Sequence, residues 1–194
     1  ARDLDGDGKV EVAVGAQWNP AETKNLAESG AVFYLYPSSS DRTQPWQSIK
    51  LPHVATIHRM QWVKEADGGF QLIVLPLHGL GNVNQEGVGV NLMAFRFPKN
   101  IHEPWPLQLL NTQMHVTHNF DPIEVPGRML GLAVAGKQGV QVFLYGAEGW
   151  SASGNWLVTD YAVSEVRRGK RNATEFFTAT IEPFHGNQLV VYTK

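Results

Sequence analysis

Apolar and polar positions alternate along short segments of the chain, and glycine and proline separate these segments. Alternation with a period of two predicts β-strands, because successive side chains of a strand point to opposite faces of a sheet. No window carries the period of 3.6 residues that an amphipathic helix requires. The segments that fit the strand pattern are residues 10–16, 31–36, 46–51, 70–77, 87–97, 105–110, 129–135, 140–145, 156–161, 175–181 and 188–192.

The predicted strands recur in sets. A short segment precedes each set, at residues 1–4, 56–63, 116–125 and 163–167, which gives four strands per unit at a spacing of roughly 50–60 residues. In the first three units an aromatic pair marks the third strand, and a tryptophan opens the fourth: Trp46, Trp105 and Trp156. This repeat is typical of β-propeller blades. We therefore predict an all-β fragment of about four blades, at residues 1–52, 53–111, 112–162 and 163–194; the alternative is a large β-sandwich with accidental spacing.

Composition and charge exclude several classes of function. The chain is 43% hydrophobic and 18% charged, which suits a globular protein and not a disordered one. Its net charge is -2 with scattered Lys and Arg, so we predict no nucleic-acid partner. No apolar run approaches the length of a membrane span, so we predict no membrane partner. Without cysteine, disulfides and thiolate chemistry are excluded.

The segment from Asp3 to Glu11 places carboxylates at alternate positions with glycines between them. Such a turn suits calcium, which takes six to eight oxygen ligands. The predicted ligands are the side chains of Asp3, Asp5, Asp7 and Glu11 and the carbonyl of Lys9. An EF-hand would need its closing Glu at position twelve and flanking helices, so this turn instead resembles those of FG-GAP or VCBS propeller repeats. The alternative is a metal-free acidic hairpin. A bound ion would stabilise the turn. A calcium turn also favours an extracytoplasmic or secreted location.

Five of the seven histidines fall at two recurrent places in the repeat. His58 and His118 lie on the first strand of their units, which lines the channel of a propeller, and His115 lies just before His118. The end of the second strand carries His78 and His185, and in the first unit the same place holds Gln17 and Trp18. These imidazoles are expected to converge on one end of the channel. The remaining two, His53 and His102, lie next to proline and are predicted to be surface residues.

Imidazole can act as a general base, a general acid or a metal ligand near neutral pH. A nearby cation, such as Arg59 or Arg128, can stabilise a developing enolate charge. We therefore predict a site in this region, with a possible second divalent metal in the channel; the alternative is that the histidines are structural. The predicted catalytic residues are His58, Arg59, His118 and His185, and the predicted substrate-binding residues are His78, His115, Asn119 and Asn187.

Three segments resemble, in order and spacing, the propeller domain of the fungal aldos-2-ulose dehydratases. They are Thr56-Ile57-His58-Arg59-Met60, His115-Val116-Thr117-His118, and residues 182–194 with the sequence Glu-Pro-Phe-His-Gly-Asn-Gln-Leu-Val-Val-Tyr-Thr-Lys. That family eliminates water from oxidised sugars such as anhydrofructose and glucosone, and joins a seven-bladed propeller to further β domains. The resemblance implies that His58 is the proton-abstracting base, with His118 and His185 in the same cleft. It departs at Asn119, where the fungal enzymes are expected to carry Glu.

The leading functional hypothesis is a carbohydrate-active lyase or dehydratase that catalyses β-elimination on an oxidised sugar or uronic acid, as several polysaccharide lyases also do. The alternative is a non-catalytic, calcium-binding propeller that binds carbohydrate or protein. A hydrolase would need two carboxylates facing one bond, and the sequence places no such pair. Both chain ends predict a fragment whose partners include the remaining blades and further domains. The sequon at Asn172 is attributed to chance.

Overall fold

The computed structural model of the chain describes residues 1–125, 129–172 and 175–193. Arg128 and positions 173 and 174 of the sequon lie outside the described residues. Within them every regular element is a β-strand, so the prediction of an all-β chain is confirmed. No helix in these ranges is long and apolar enough to cross a membrane.

The strands form four antiparallel sheets, and within each sheet they pair in chain order. The first sheet contains β1 (Val12–Ala16), β2 (Ala31–Pro37) and β3 (Trp46–Leu51). The second contains β4 (Ile57–Lys64), β5 (Phe70–Pro76), β6 (Asn91–Arg96) and β7 (Leu107–Asn111). The third contains β8 (Thr117–Val125), β9 (Met129–Gly136), β10 (Gly139–Gly146) and β11 (Gly149–Thr159). The fourth contains β12 (Glu165–Lys170), β13 (Phe176–Glu182) and β14 (Gln188–Thr193).

Two predicted strands differ from the structure. The segment at residues 1–4 forms a single bridge, between Arg2 and Glu11, and not a strand. The last strand of the third sheet begins at Gly149, so Trp150 and not Trp156 lies near its start. The indole nitrogen Nε1 of Trp150 donates a hydrogen bond of 2.8 Å to Gln71 of the second sheet.

The core forms where neighbouring sheets pack face to face. The central strand β5 is buried along its whole length, and its side chains alternate between two apolar clusters. Leu72 and Val74 pack with side chains of the first sheet, whereas Ile73 and Leu75 pack with side chains of the third. A third cluster joins the third sheet to the fourth. Truncating one of these leucines to alanine would cost about 2–5 kcal/mol, so the successive sheets are held firmly against one another.

The first strands of the four sheets lie next to one another. β4 contacts β1 and β8, and β8 contacts β12. Two hydrogen bonds also join the start of β8 to the end of β5. The hydroxyl of Thr117 donates to the carbonyl of Pro76 over 2.5 Å, and the Thr117 amide donates to the carbonyl of Leu77 over 2.9 Å. Side chains on β4, β8 and the end of the fourth sheet are thereby brought to one place.

Candidate functional site

Three imidazole rings from three different sheets lie in contact. The ring centroids of His58 and His118 are 4.8 Å apart, and those of His118 and His185 are 4.5 Å apart. His58 belongs to β4, His118 to β8, and His185 to the turn between β13 and β14. We call these three residues the histidine cluster. The structure thus brings together the three histidines that the repeat places at one end of a channel.

Local irregularities of the strands aim the first two rings. The register of β4 against β5 shifts between Ile57 and Arg59, and that of β8 against β9 shifts between Thr117 and Asn119. Each shift leaves one histidine, His58 or His118, as the extra residue of a β-bulge. A bulge bends its strand and redirects the side chain that it carries. The same device therefore places both rings.

The third ring is placed by a turn. The backbone of His185 has a φ of 58°, which lies in the left-handed region that few non-glycine residues adopt. Phe184 precedes it, and the Phe184 ring lies 5.5 Å from that of His118. At the opposite end of the cluster, the ring of Trp18 lies 5.1 Å from that of His58 and is 50% exposed. An aromatic side chain therefore borders each end of the cluster.

Burial favours the neutral form of two rings of the cluster, His58 and His118. It lowers the pKa of His58 to about 4, with smaller contributions from His118 and the Arg59 guanidinium. Burial also lowers the pKa of His78 and His118. The Nε2 atom of His58 is buried without a hydrogen-bond partner among the described residues. At neutral pH His58 and His118 are therefore uncharged imidazoles that are able to accept a proton.

Hydrogen bonding assigns the tautomer of His118. Its Nδ1 lies 3.0 Å from the backbone carbonyl of Ser164, which can only accept. Nδ1 therefore carries the proton and Nε2 carries the lone pair. The carboxylate of Glu165 lies 3.3 Å from the same Nδ1 and opposes the fall in the His118 pKa. An imidazole oriented by a carbonyl and a carboxylate is an arrangement that general acid–base catalysis uses.

Glu165 also connects the cluster to its basic neighbours. Its Oε1 atom lies 3.3 Å from Nη2 of Arg59, and its Oε2 atom accepts a hydrogen bond from the side-chain amide of Asn119. The Asn119 Oδ1 atom in turn accepts a hydrogen bond of 2.7 Å from Arg167. Neither Glu165 nor Arg167 follows from the sequence pattern, since they lie on β12 and reach the site through the packing of β12 on β8.

The other predicted binding residues lie at differing distances from the cluster. His78 follows β5, close enough to contribute to the lowered pKa of His58, and its Nδ1 atom is buried without a partner among the described residues. His115 points to another contact, with its Nδ1 atom 2.9 Å from a carboxylate oxygen of Glu86. Asn187 is exposed in the turn after His185. The structure therefore associates His78 with the cluster and places His115 in a hydrogen bond with Glu86 outside it.

The two histidines predicted to lie at the surface are away from the cluster. The Nε2 atom of His53 lies 2.8 Å from the carbonyl of Leu26. His102 is exposed, and its ring lies 5.4 Å from that of Tyr36.

The acidic turn gathers three of its four carboxylates. Oxygen atoms of Asp3, Asp5 and Glu11 lie within 4.8 Å of one another. Asp7 is outside this group, because its carboxylate accepts a hydrogen bond from the Lys9 amide and lies 3.5 Å from the Lys9 ammonium. Burial and the negative charges of Asp5 and Asp7 raise the pKa of Glu11. Three converging carboxylates that repel one another fit a hard divalent cation such as calcium.

Within the described ranges, these three acids are the one group of three potential ligands that converges in this way. The imidazole nitrogens of the histidine cluster do not form such a group.

Left-handed backbone conformations collect around the histidine cluster. Among the described residues, six that are not glycine have a positive φ, and all but Asp160 border this region. They are Gln17 beside Trp18, Thr56 before His58, Asn84 and Gln85 in the loop after His78, and His185 itself. Such conformations cost about 1–3 kcal/mol each and are typically retained where function requires them.

Comparison with protein families and with curated proteins gives no relative from which a function could be inferred, so the functional assignment depends on the geometry of the site. No family model matches the chain, and a search of the curated proteins finds no match.

Proposed function

We propose that the histidine cluster catalyses β-elimination on an oxidised sugar or uronic acid, as a carbon–oxygen lyase or dehydratase. The observation that carries the proposal is the pairing of a neutral His58, whose Nε2 is buried and unpartnered, with an oriented His118. We further propose that the four sheets are consecutive blades of an FG-GAP or VCBS type propeller. Two features support this: the first strands are neighbours, and successive sheets pack through opposite faces.

The reaction needs a base for the proton on the carbon α to a carbonyl. In the proposed mechanism His58 takes this proton on Nδ1, because its Nε2 atom is buried. The electron pair of the broken C–H bond forms the carbon–carbon double bond, and the bond from the β carbon to oxygen breaks. A low pKa keeps His58 deprotonated before the substrate enters, although it also makes the imidazole a weaker base. The Arg59 guanidinium disfavours protonated His58, so it would compensate only by stabilising the negative charge of the enolate.

The charge and the leaving group need partners as well. The Arg59 guanidinium, next to His58 in the chain, would stabilise the enolate that forms as the proton leaves. The departing oxygen requires a proton, and it would receive the one that His58 removed, passed on through His118 or His185, whose rings lie in contact. The reaction then yields an unsaturated product and water, or an unsaturated product and a released sugar. Atoms and electrons balance without an oxidant or reductant.

The departure from the fungal dehydratases at Asn119 has a counterpart in the geometry. In this chain a carboxylate beside His118 comes from Glu165, whose Oε1 atom lies 3.3 Å from Nδ1. Asn119 binds that same carboxylate through its side-chain amide. Glu165 would therefore supply the negative charge that a glutamate at position 119 would otherwise bring.

Calcium is proposed as a structural ion of the acidic turn. Asp3, Asp5 and Glu11 would hold it, and the ion would neutralise their mutual repulsion. It would stabilise the entry into β1, which lies in the sheet that carries Trp18 towards the histidine cluster. No step of the elimination involves this ion.

The test follows the ultraviolet absorbance of unsaturated products from anhydrofructose, glucosone and a uronic-acid polysaccharide. His58→Ala should lower turnover by about 10²–10⁴-fold, the range expected for loss of a general base. His102→Ala is the matched control, because His102 is exposed and remote from the cluster. Equal turnover of the wild type and His58→Ala would contradict the role of His58.

A non-catalytic carbohydrate-binding function is the second candidate. The observation in its favour is the half-exposed Trp18 ring, since an aromatic face is a common platform for a sugar ring. Binding of these sugars without any product would favour it over the lyase.

A further inference from the structure

A polar pocket of about 480 Å³ lies beside the histidine cluster. Two loops form it: the loop between β1 and β2 and the loop between β5 and β6. Its lining is rich in groups that can bind hydroxyls, including Glu22, Thr23, Lys24, His78, Asn84 and Gln85.

Two connections place this pocket next to His58. Trp18, whose ring lies 5.1 Å from that of His58, is two residues before Pro20 in the pocket wall. On the other loop, His78 lines the pocket and also contributes to the lowered pKa of His58. A molecule that spans the pocket and Trp18 would therefore reach the histidine cluster.

The two loops hold the pocket in a defined shape. The hydroxyl of Thr23 donates a hydrogen bond of 2.9 Å to the carbonyl of Asn82, and the Gly81 amide donates one of 2.8 Å to the carbonyl of Thr23. Asn82 is buried, and its side chain bonds the backbone of Val88 in both directions. Binding at a preformed site avoids the entropic cost of ordering loops.

Asn84 and Gln85 form one wall of the pocket, and Glu86, the next residue, anchors this wall to the chain beyond it. Asn84 and Gln85 have φ values of 51° and 66°. Glu86, which follows them, lies 3.0 Å from the Lys137 ammonium and 2.9 Å from His115 of the next sheet. The ion pair of Glu86 with Lys137 and its hydrogen bond with His115 thus hold the left-handed segment over the pocket, which gives His115 a role away from the reacting centre.

The pocket offers both acceptors and donors. The Glu22 carboxylate accepts the amides of Lys24 and Asn25 at 2.7 and 2.8 Å, and these bonds lower its pKa. Amide side chains at Asn84 and Gln85 supply both kinds of group. The Nδ1 atom of His78 has no hydrogen-bond partner among the described residues. Paired donors and acceptors beside an exposed tryptophan suit a hydroxyl-rich sugar ring.

We infer that this pocket and Trp18 form a subsite for the sugar unit next to the one that reacts, so that the preferred ligand is an oligosaccharide. The inference rests on the proposed function in taking a carbohydrate as the ligand of the cluster. It goes beyond that function by selecting a chain of linked sugars over a single oxidised sugar.

Calorimetric titration tests the subsite independently of turnover. The probes are tetrasaccharides of the cello, malto and polyuronate series, each compared with its own monosaccharide. At least one tetrasaccharide should bind about tenfold more tightly than its monosaccharide, the gain of one or two added hydrogen bonds and a stacked ring. Asn84→Gly, which preserves the left-handed backbone, should reduce this advantage about threefold or more, and Trp18→Ala should reduce it similarly. Asn155→Gly, at an exposed asparagine of β11, is the matched control.

The outcomes separate the subsite from the catalysis. Equal binding of every tetrasaccharide and its monosaccharide overturns the subsite, even where the unsaturated product forms. A chain-length advantage that Asn84→Gly and Trp18→Ala reduce, without any turnover, supports the subsite and overturns the lyase. A chain-length advantage that neither variant changes overturns the subsite assigned here. Failure of every probe to bind overturns the subsite, whereas the lyase is judged separately by turnover of anhydrofructose, glucosone and the uronic-acid polysaccharide.

Discussion

Two β-bulges determine what His58 and His118 can do. In a regular strand each side chain would point strictly to one face or the other, and neighbouring strands would share the backbone hydrogen bonds evenly. The bulges instead leave both residues outside the paired register, and their rings meet at a centroid distance of 4.8 Å. The sequence repeat predicts which strand carries each histidine. It does not predict the bulges, because they arise from how one strand is paired with the next.

Glu165 is predicted to be a positioning residue for His118. Its charge opposes the fall in the His118 pKa, so Glu165→Gln should lower that pKa further. The alkaline limb of the kcat/KM profile, which reports the group that donates the proton, should then move to lower pH, and kcat should fall about ten- to a hundredfold as the orienting charge is lost. The measurement is the pH profile of product absorbance, with Glu148→Gln as an exposed control.

A merely structural role for Glu165 predicts a different result. It would lower the melting temperature and the amount of active protein without moving the limb of the profile. Glu165→Asp, which retains the charge on a shorter side chain, should recover part of the limb position. An unshifted profile in Glu165→Gln contradicts the proposed contact with His118.

His58 also makes the stability of the protein sensitive to acid. Its pKa is lowered from 6.5 to about 4, so between these values the unfolded chain binds the proton more readily than the folded one. Stability should therefore fall as the pH drops from 6.5 towards 4. After allowance for partial exposure, the contribution of His58 is about 1–2 kcal/mol. Urea unfolding at pH 7 and pH 4.5 should show a smaller loss in His58→Gln than in the wild type; an equal loss would show that other groups account for the dependence.

At the scale of elements, alternation of apolar and polar residues predicted the strands that expose one face. β7 is an example, because its buried Leu110 lies between two exposed residues. β5 illustrates the limit of this rule, since both of its faces are buried and its sequence is a continuous apolar run. The third sheet shows where the rule fails. β11 begins at Gly149, and the register of β10 shifts between Gln141 and Phe143 where Gly154 adopts a φ of 74°. Serine and glycine in this irregular stretch broke the alternation, so the prediction began the strand at Trp156.

The site was predictable to the extent that the repeat determines position. Equivalent places in successive units identified His58, His118 and His185, and they also placed Trp18 at the same edge. Glu165 and Arg167 have no such signal, because they act from β12 across a sheet boundary. The pocket depends on two loops of different units, whose approach no periodic pattern encodes.

The acidic turn allows a sharp test of its ligands. Calcium should raise the melting temperature, since an ion bound only by the folded state at 100 times its Kd adds about 2.7 kcal/mol. Asp5→Asn should remove most of this response, because Asp5 belongs to the group of carboxylates within 4.8 Å. Asp7→Asn should retain most of it, because the Asp7 carboxylate is directed towards Lys9.

Thermal unfolding in chelator and in millimolar calcium provides the measurement. The alternating acids of the sequence predict that Asp5 and Asp7 are equivalent, whereas the structure predicts that they differ. Equal losses in the two variants would restore Asp7 to the ligand set. An unchanged melting temperature in the wild type would favour the metal-free hairpin.

At the scale of the whole molecule, the second and third sheets each lie between two others and pack against them through both faces. Among the described residues, the fourth sheet packs through one face, against the third sheet, in the apolar cluster that contains Val163 and Val166. On β14, the last strand of that sheet, Leu189 is 70% exposed and Val191 is 53% exposed. An apolar strand at the edge of a sheet also presents unpaired backbone groups.

The isolated chain of 194 residues is therefore predicted to self-associate through β14. A second copy would cover the exposed Leu189 and Val191 and pair the free edge, and both effects favour association at higher concentration. Sedimentation velocity over a hundredfold range of concentration should show a shift towards dimers or larger species. Leu189→Lys should weaken that association about tenfold or more, because a charge on the edge must be desolvated or repelled.

Val88→Lys, at a valine that is 55% exposed in a loop, is the matched control for added charge. A monomer at every concentration would show that this edge is protected in solution, and an equal effect of the two lysines would assign the association to net charge and not to β14.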